Sequence, residues 1–509
     1  MSEAKANMDK TLSALASGFE PRKWQESAVY KIRNVALNGA DRALVYACPG
    51  SGKTYAGLLI AKDLATKAGK GPKIVVLTPN LAIKSQWIDR AATIGLRLVP
   101  VVSGDDLRQD SLAIEEIGFI MSYQQAVSMR HSLRLFCDTV KPIVILDEVH
   151  HTEGPRADRD GNAWGHSVEV ACAPASFKLC TTGTPFREGN NPISFVRYDD
   201  NQHAISDVEY SYGDALLERI CRPIEFSTFD GDISWMDRGE RVTASFATKL
   251  PKRRGRQRLR AALSTEGAHP RSLLSEAHKK LLEIRAGSSR ADLRAAGLVV
   301  AMDTDHANEI ADELTAISGK RPVVVHNKID DAQEAIDAFR ASDDLWIVGV
   351  NMLSEGVDIP RLRVGVYASN IRAALYFHQF CGRLSRVIDK NGGEWAHVFM
   401  PEDSELVAIA KEIVKTRAHA LGEEGDGRVN RIGNGGTRRR GLNVLGSEGE
   451  LSSIVANGQM FPAEFIAQHR ARAGAFRLMD ASRVAMTDCE VIKIMIDLDV
   501  IEPPTAQEA

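Results

Sequence analysis

Eight consecutive residues, Ala47-Cys48-Pro49-Gly50-Ser51-Gly52-Lys53-Thr54, carry the groups needed to hold a nucleoside triphosphate. Glycines at 50 and 52 let backbone N–H groups approach phosphate oxygens, and a helix opening near Tyr55 turns its positive end toward the same place. Pro49, Gly50, Ser51 and Gly52 form the loop, Lys53 is placed to reach the β- and γ-phosphates, and Thr54 is placed to ligate Mg²⁺. Ala47 stands where the general pattern has its first glycine, which leaves the central turn intact. A second segment, Ile143-Val144-Ile145-Leu146-Asp147-Glu148-Val149-His150, is an apolar run that ends in two acids. Asp147 can hold Mg²⁺, and Glu148 can orient and deprotonate an attacking water. Two acids after a strand are usually a turn; beside Lys53 they make a site for hydrolysis of ATP with Mg²⁺.

Such a site needs strands that deliver both segments to one edge of a sheet. Short apolar runs at residues 43–47, 74–77, 98–102, 119–121, 143–146 and 178–181 read as buried parallel strands, with amphipathic helices between them. The same rhythm returns at 297–302, 322–325, 346–350, 364–367 and 397–400. The expected fold is α/β, with two tandem parallel-sheet domains and a small helical C-terminal extension. The expected organisation is an N-terminal extension over 1–18, a first domain over 19–189, an inter-domain connection over 190–289, a second domain over 290–405, a helix and Gly/Arg-rich linker over 406–446, and a helical accessory segment over 447–509. Within the connection, residues 251–260 hold six basic side chains in ten, which reads as a solvated helix or loop face or as a contact to phosphates.

Composition narrows the function classes. With 64 Lys and Arg against 67 Asp and Glu, the net charge of −3 gives no global field to attract a polyanion, so any nucleic-acid surface must be local. No apolar run approaches the roughly 18 residues of a membrane span, and residues 1–19 lack a signal-type apolar region. Seven scattered cysteines form no C-x-x-C pair, which points to a reducing cytoplasm and no zinc site. His150 and His151 lack the H-E-x-x-H arrangement of a metalloprotease. Asp158, Asp160, Asn162 and Glu169 imitate a calcium loop, but Ala163 sits where the turn needs glycine, so a polar surface loop is expected.

The tetrapeptide Asp147-Glu148-Val149-His150 resembles the box that names the DEAD/DEAH family of superfamily 2 helicases, and further family motifs follow in order over about residues 19–401. Phe19 with Pro21-Arg22-Lys23-Trp24-Gln25 resembles the element whose Gln reads adenine and whose Arg stacks on it. Thr78-Pro79-Asn80 with Gln86-Trp87, and Met121-Ser122-Tyr123-Gln124, resemble the first domain's strand-contacting motifs. Thr182-Gly183-Thr184-Pro185 is similar to the motif that couples hydrolysis to movement, and His150 would link the ATP site to Thr182 or Thr184. Ala301-Met302-Asp303-Thr304 resembles the fourth motif, which would place Asp303 and Thr304 at the bound strand. Ser354-Glu355-Gly356-Val357-Asp358 resembles the fifth, with Ser354 at the strand and Gly356 and Asp358 at the nucleotide. In Gln379-Phe380-Cys381-Gly382-Arg383-Leu384-Ser385-Arg386, positions 379, 383 and 386 fall on one helical face, which would present two guanidinium groups to a γ-phosphate.

The resemblance implies two RecA-like domains with ATP in the cleft between them and nucleic acid across both. The form Asp-Glu-Val-His and the segment 354–358 look most like the branch of XPB-like helicases and restriction-enzyme motor subunits, which mostly move on duplex DNA. The expected activity is therefore an ATP-dependent DNA helicase or translocase acting on duplex or forked DNA. A separate nuclease or targeting protein could be its partner. An RNA helicase, or an ATP-gated clamp that recruits a partner, uses the same motifs.

Overall fold

The computed structural model describes residues 19–67, 73–79, 82–107, 117–152, 163–183, 192–287, 289–326, 328–329, 331–350, 359–388, 394–420, 444–456, 459–478, 488–497, 500–501 and 504. The chain divides into two compact units and passes from the first to the second between Ser211 and Tyr212. Among the described residues, no helix is long and apolar enough to cross a membrane.

The first unit is one seven-stranded sheet in the order β3-β4-β2-β5-β6-β1-β7, parallel throughout. Its strands are β1 (Arg42–Ala47), β2 (Ile74–Thr78), β3 (Arg97–Pro100), β4 (Ile117–Ser122), β5 (Ile143–Leu146), β6 (Phe177–Thr182) and β7 (Val208–Tyr210). The helices are α1 (Lys23–Leu37), α2 (Lys53–Lys67), α3 (Ala82–Thr93), α4 (Tyr123–Ser128), α5 (Arg130–Val140) and α6 (Ala163–Cys172). β2, β5 and β6 are buried at every position, as strands covered by helices on both faces must be. A parallel sheet brings all strand carboxyl ends to one edge, so the loops after β1, β2, β4, β5 and β6 gather there.

The second unit has an eight-stranded sheet in the order β12-β13-β11-β14-β15-β8-β17-β18 and a three-stranded sheet in the order β10-β9-β16. Its strands are β8 (Ile224–Asp230), β9 (Ile233–Asp237), β10 (Glu240–Ala244), β11 (Ala296–Ala301), β12 (Val323–Val325), β13 (Trp346–Gly349), β14 (Leu362–Ala368), β15 (Ala396–Pro401), β16 (Val444–Ser447), β17 (Glu450–Ala456) and β18 (Gln459–Pro462). The helices are α7 (Tyr212–Leu217), α8 (Lys252–Ala262), α9 (His269–Arg285), α10 (Arg290–Leu293), α11 (Thr304–Ser318), α12 (Ala332–Ala341), α13 (Ala374–Leu384), α14 (Ser404–Ala420), α15 (Ala463–Leu478) and α16 (Asp488–Asp497). The six strands from β12 to β8 run parallel, and β17 and β18 close that edge antiparallel. α13 lies directly on β14: a Cβ at Gly365 would fall 2.4 Å from Leu384 Cδ1 and 2.7 Å from Phe380 Cζ, so glycine is required for the helix to approach.

The two tandem α/β domains are as expected, but two boundaries are corrected. The described residues of 190–289 are not a connection: β7 pairs with β1 in the first sheet, β8 pairs with β15 inside the second, and α8 and α9 pack on the second unit. The C-terminal segment is not only helical, since β16, β17 and β18 come before its two helices. The polarity of these strands explains both errors. The Thr228 and Ser452 hydroxyls meet between β8 and β17, and both bond Glu402, so these strands carry hydroxyls where an apolar run was sought.

Candidate functional site

The loop after β1 turns on two glycines in the left-handed region, Gly50 at φ 86° and Gly52 at φ 93°, and α2 begins at Lys53. Ser51 is fully buried, and its hydroxyl donates to Cys48 O at 2.6 Å, which locks the turn. A Cβ at Gly52 would fall 2.8 Å from Gln25 Nε2, so the loop is a cradle lined by backbone alone. Three side chains at the start of α1 hold its carbonyls from outside. Arg22 donates to Ser51 O at 2.5 Å, Trp24 Nε1 donates to Ser51 O at 3.1 Å, and Gln25 Nε2 donates to Gly52 O at 3.1 Å. Arg22 and Gln25, expected at the adenine, thus grip the phosphate loop itself. Buried Arg33 pairs with Asp63 and ties α1 to α2, and Phe19 packs against Tyr55 with ring centroids 4.6 Å apart.

Asp147 and Glu148 leave the carboxyl end of β5, two strands from β1. Glu148 turns at φ 47°, a conformation that costs a non-glycine residue about 1–3 kcal/mol and that recurs where geometry is held for function. Lys53 Nζ lies 2.6 Å from Glu148 Oε1, and Gly183 N donates to Oε2 at 3.0 Å. His150 Nδ1 is 2.9 Å from Thr182 Oγ1 and 3.5 Å from Glu148 Oε2, so the loops after β5 and β6 are joined through the acid. Burial acts to raise the Glu148 carboxyl, but the Lys53 and His150 charges together with the hydrogen bonds from Lys53 and Gly183 N outweigh it and hold Glu148 below the usual carboxylate range. Asp147 goes the other way, raised by burial and by the neighbouring Glu148 charge.

Two site residues were not anticipated in their roles. Trp87 is fully buried on α3, and its Nε1 donates to Asp147 Oδ2 at 2.9 Å, while Thr181 Oγ1 donates to Oδ1 at 3.0 Å. Arg90, three residues on, donates to Thr54 Oγ1 at 2.8 Å and lies over the Tyr55 ring at 5.7 Å. One helix face therefore touches both expected Mg²⁺ ligands. The spacing Gln86-Trp87…Arg90 was the available signal, although nothing in it identifies the far partners. Thr54 and Asp147 offer one hydroxyl and one carboxylate beside a glycine cradle, a hard oxygen set suited to Mg²⁺ with a phosphate.

Of the expected strand contacts in this unit, Thr78, Pro79, Ser122 and Tyr123 are all buried, and Gln86 is half-buried on α3. Tyr123 is a correction. Its ring is fully buried and its hydroxyl donates to Asp147 O at 2.8 Å, so it braces the acid loop and does not present a face to bases. Ser122 caps α4, accepting from Gln125 N at 3.2 Å. The Trp87 and Phe380 rings are fully buried in the cores of their units.

In the second unit, Asp303 caps α11 by accepting from His306 N at 3.0 Å, and Thr304 is the first helical residue. Gln379 and Arg383 lie half-buried on α13, one turn apart. Arg386 does not share their helix, which corrects the three-residue face. α13 ends at Leu384, where Ser385 O accepts from Arg222 N at 2.6 Å and Arg386 pairs in a β-bridge with Cys221. Asn80, Asp158, Asp160, Asn162, Thr184, Ser354, Gly356 and Asp358 lie outside the described residues, as do residues 421–443 of the Gly/Arg-rich linker.

Residues 18–187 match the family model of the type III restriction enzyme res subunit. An uncharacterized Mycobacterium tuberculosis protein is 31% identical over 467 residues, 88% of this chain and 74% of the relative. An uncharacterized Mycobacterium leprae protein is 31% identical over 457 residues, 86% of this chain and 73% of its own. Among solved structures, a fragment assigned as an HsdR subunit of a type I restriction enzyme from Vibrio vulnificus matches with TM-score 0.53 and 18% identity, over 78% of this chain and 67% of that one. The type ISP restriction-modification enzyme LlaBIII, bound to DNA, matches with TM-score 0.55 and 15% identity, over 78% of this chain and 30% of that one.

Proposed function

The chain belongs to the family of these mycobacterial proteins, and from that premise we propose that it is a superfamily 2 helicase of the type I restriction motor-like branch that works as an ATP-hydrolysing DNA translocase. The observation that carries this reading is the convergence of Lys53, Glu148 and the Gly183 N–H at the mouth of the phosphate loop. A γ-phosphate entering the loop offers Lys53 a stronger partner than Glu148. Glu148, released, is then free to accept the proton of an attacking water. Thr54 and Asp147 would hold the Mg²⁺, which neutralises charge on the phosphate oxygens when bound. When Glu148 loses Lys53, its contacts with Gly183 N and His150 remain, and His150 carries any movement of the acid loop to Thr182. Hydrolysis is thereby tied to the segment after β6, whose expected role is coupling.

Gln379 and Arg383 are proposed to act on the γ-phosphate of the bound nucleotide. Arginines of this kind are worth roughly 10³–10⁵ in rate in comparable nucleotide hydrolases. DNA is preferred over RNA because the LlaBIII restriction enzyme that shares the fold is bound to DNA. Substrate contacts are proposed to fall mainly on phosphates and so to be independent of sequence.

The test is the steady-state ATPase rate without polymer and with single-stranded, duplex or forked DNA or RNA. Duplex or forked DNA should stimulate hydrolysis, and Glu148→Gln and Lys53→Ala should each remove it, by about 10²–10⁴-fold where general-base catalysis is lost. Stimulation by RNA alone would overturn the DNA assignment. Hydrolysis indifferent to every polymer would overturn the motor.

A further inference from the structure

The segment from Asp237 to Arg260 holds nine basic residues and two acidic ones in a chain whose total charge is −3. The structure folds this charge onto a rigid support. β9 and β10 form a hairpin turning at Arg238 (φ 55°) and Gly239 (φ 91°), the two positive φ angles of a tight hairpin turn, and α8 packs on β9. Asp237, at the end of β9, takes Arg253 in a fork at 2.7 and 2.6 Å, Arg254 Nε at 3.0 Å and Gln257 Nε2 at 3.2 Å. Arg258 points inward, donating to Ser245 O at 2.5 Å and Thr248 O at 2.7 Å over the Phe246 ring. The inner face of α8 is therefore fixed.

The outer face carries Lys252, Arg256 and Arg260, four residues apart and so about 6 Å apart along the axis. Lys252 and Arg256 are exposed, Arg260 is half-buried, and among the described residues none of the three makes an ion pair. α8 contains no acidic residue, so the i,i+4 pairs that usually balance such a face are missing. Lys252, Arg253 and Arg254 also crowd its first turn, where the helix dipole disfavours cations. Asp237 and Glu240 balance Arg253 and Arg254, so the row Lys252, Arg256 and Arg260 is the part of this surface that fits a polyanion.

Its location gives the occupant. Leu263 O, directly after α8, lies 2.8 Å from His306 Nε2 on α11, whose cap and first residue are Asp303 and Thr304. Arg372, in the loop between β14 and α13, donates to Gly255 O at 2.9 Å. α8 thus adjoins two loops at the carboxyl edge of the second sheet, one of them an expected strand contact.

We propose that α8 and the tip of the β9–β10 hairpin form a phosphate-binding surface for duplex DNA, continuous with the strand-contacting edge of the second unit. This rests on the nucleic-acid reading above. A duplex carries one phosphate per roughly 1.7 Å of axis, twice the density of a single strand, and a rigid row of cations gains most from the denser array.

The test is the affinity of full-length protein for a labelled duplex between about 50 and 200 mM salt, for wild type and for Lys252→Ala/Arg256→Ala/Arg260→Ala. Each lost phosphate contact should flatten the slope of log K against log salt by about 0.9, so the triple variant should lose roughly 2–3 units of slope. Binding of a fluorescent ADP and the melting temperature should not change, and loss on a single strand should be smaller. A variant with wild-type slope and affinity for duplex overturns the proposal, including in favour of an acidic protein as occupant. Equal loss on single strand and duplex overturns the duplex assignment. If wild type binds no nucleic acid under any salt, the translocase reading itself fails, a result distinct from the other two.

Discussion

Trp87 shows how far a single side chain can reach into the chemistry. Its indole N–H and the Thr181 hydroxyl together orient Asp147, the residue proposed to hold Mg²⁺. Partners of this outer kind typically govern metal affinity or activity by about 10–100-fold. Trp87→Phe keeps most of the buried volume and removes the donor. It should raise the Mg²⁺ concentration needed for half-maximal ATPase by about 10-fold or more while the melting temperature moves by a few degrees. A magnesium titration at saturating ATP checks this, and an unchanged midpoint would make Trp87 packing alone. The phosphate loop and the acid pair were legible because their chemistry needs fixed residue types at adjacent positions. Trp87 and Arg90 were not, because a hydrogen bond to a group 60 residues away in sequence leaves no local pattern.

At the scale of elements, the buried pair Arg222–Glu394 organises the end of α13. Arg222 Nη2 lies 3.0 Å from Glu394 and donates to Pro360 O at 2.8 Å, while Glu394 accepts from Ile388 N at 3.2 Å. The segments that follow Asp358 and Arg386 are thus fastened to the start of β8. Glu394→Gln leaves a buried guanidinium unmatched and should destabilise the second unit by about 3–5 kcal/mol. Arg222→Met/Glu394→Leu should recover part of that loss. Urea denaturation of the three proteins decides it; a double variant less stable than the single one would contradict the account. The eleven strands read from apolar runs all exist, each within a few residues of its expected ends. The strands that were missed are edge, polar or short: β8 and β17 carry Thr228 and Ser452, and β7 has only three residues. The helical face of residues 379–386 failed at its last member because Arg222 captures the chain at Ser385, a tertiary contact that periodicity cannot report.

Over the molecule as a whole, stability should depend on pH through His269. It is fully buried, 3.3 Å from Phe229 O through Nε2, and its backbone N donates to Ser447 Oγ. Burial pushes its pKa down to about 4, against the hydrogen bond to Phe229 that favours the proton. The unfolded chain takes up that proton near pH 6.5, so between about 6.5 and 4 the unfolded state binds more protons and stability falls as pH falls. The contribution is at most about 1.4 kcal/mol per pH unit. Melting curves from about pH 7.5 to 5 should show the loss, and His269→Gln should flatten it; parallel curves would assign the acid sensitivity to other groups. His269 also marks how distant stretches of the chain meet, which has a consequence in time. β8 finds its neighbours only in β15 and β17, at residues 396–401 and 450–456. At ribosomal rates of about 5–20 residues per second, Phe226 and Phe229 emerge on the order of ten to thirty seconds before either partner exists. During biosynthesis this strand must wait unpaired, so the demand for chaperones on this protein should peak midway through translation.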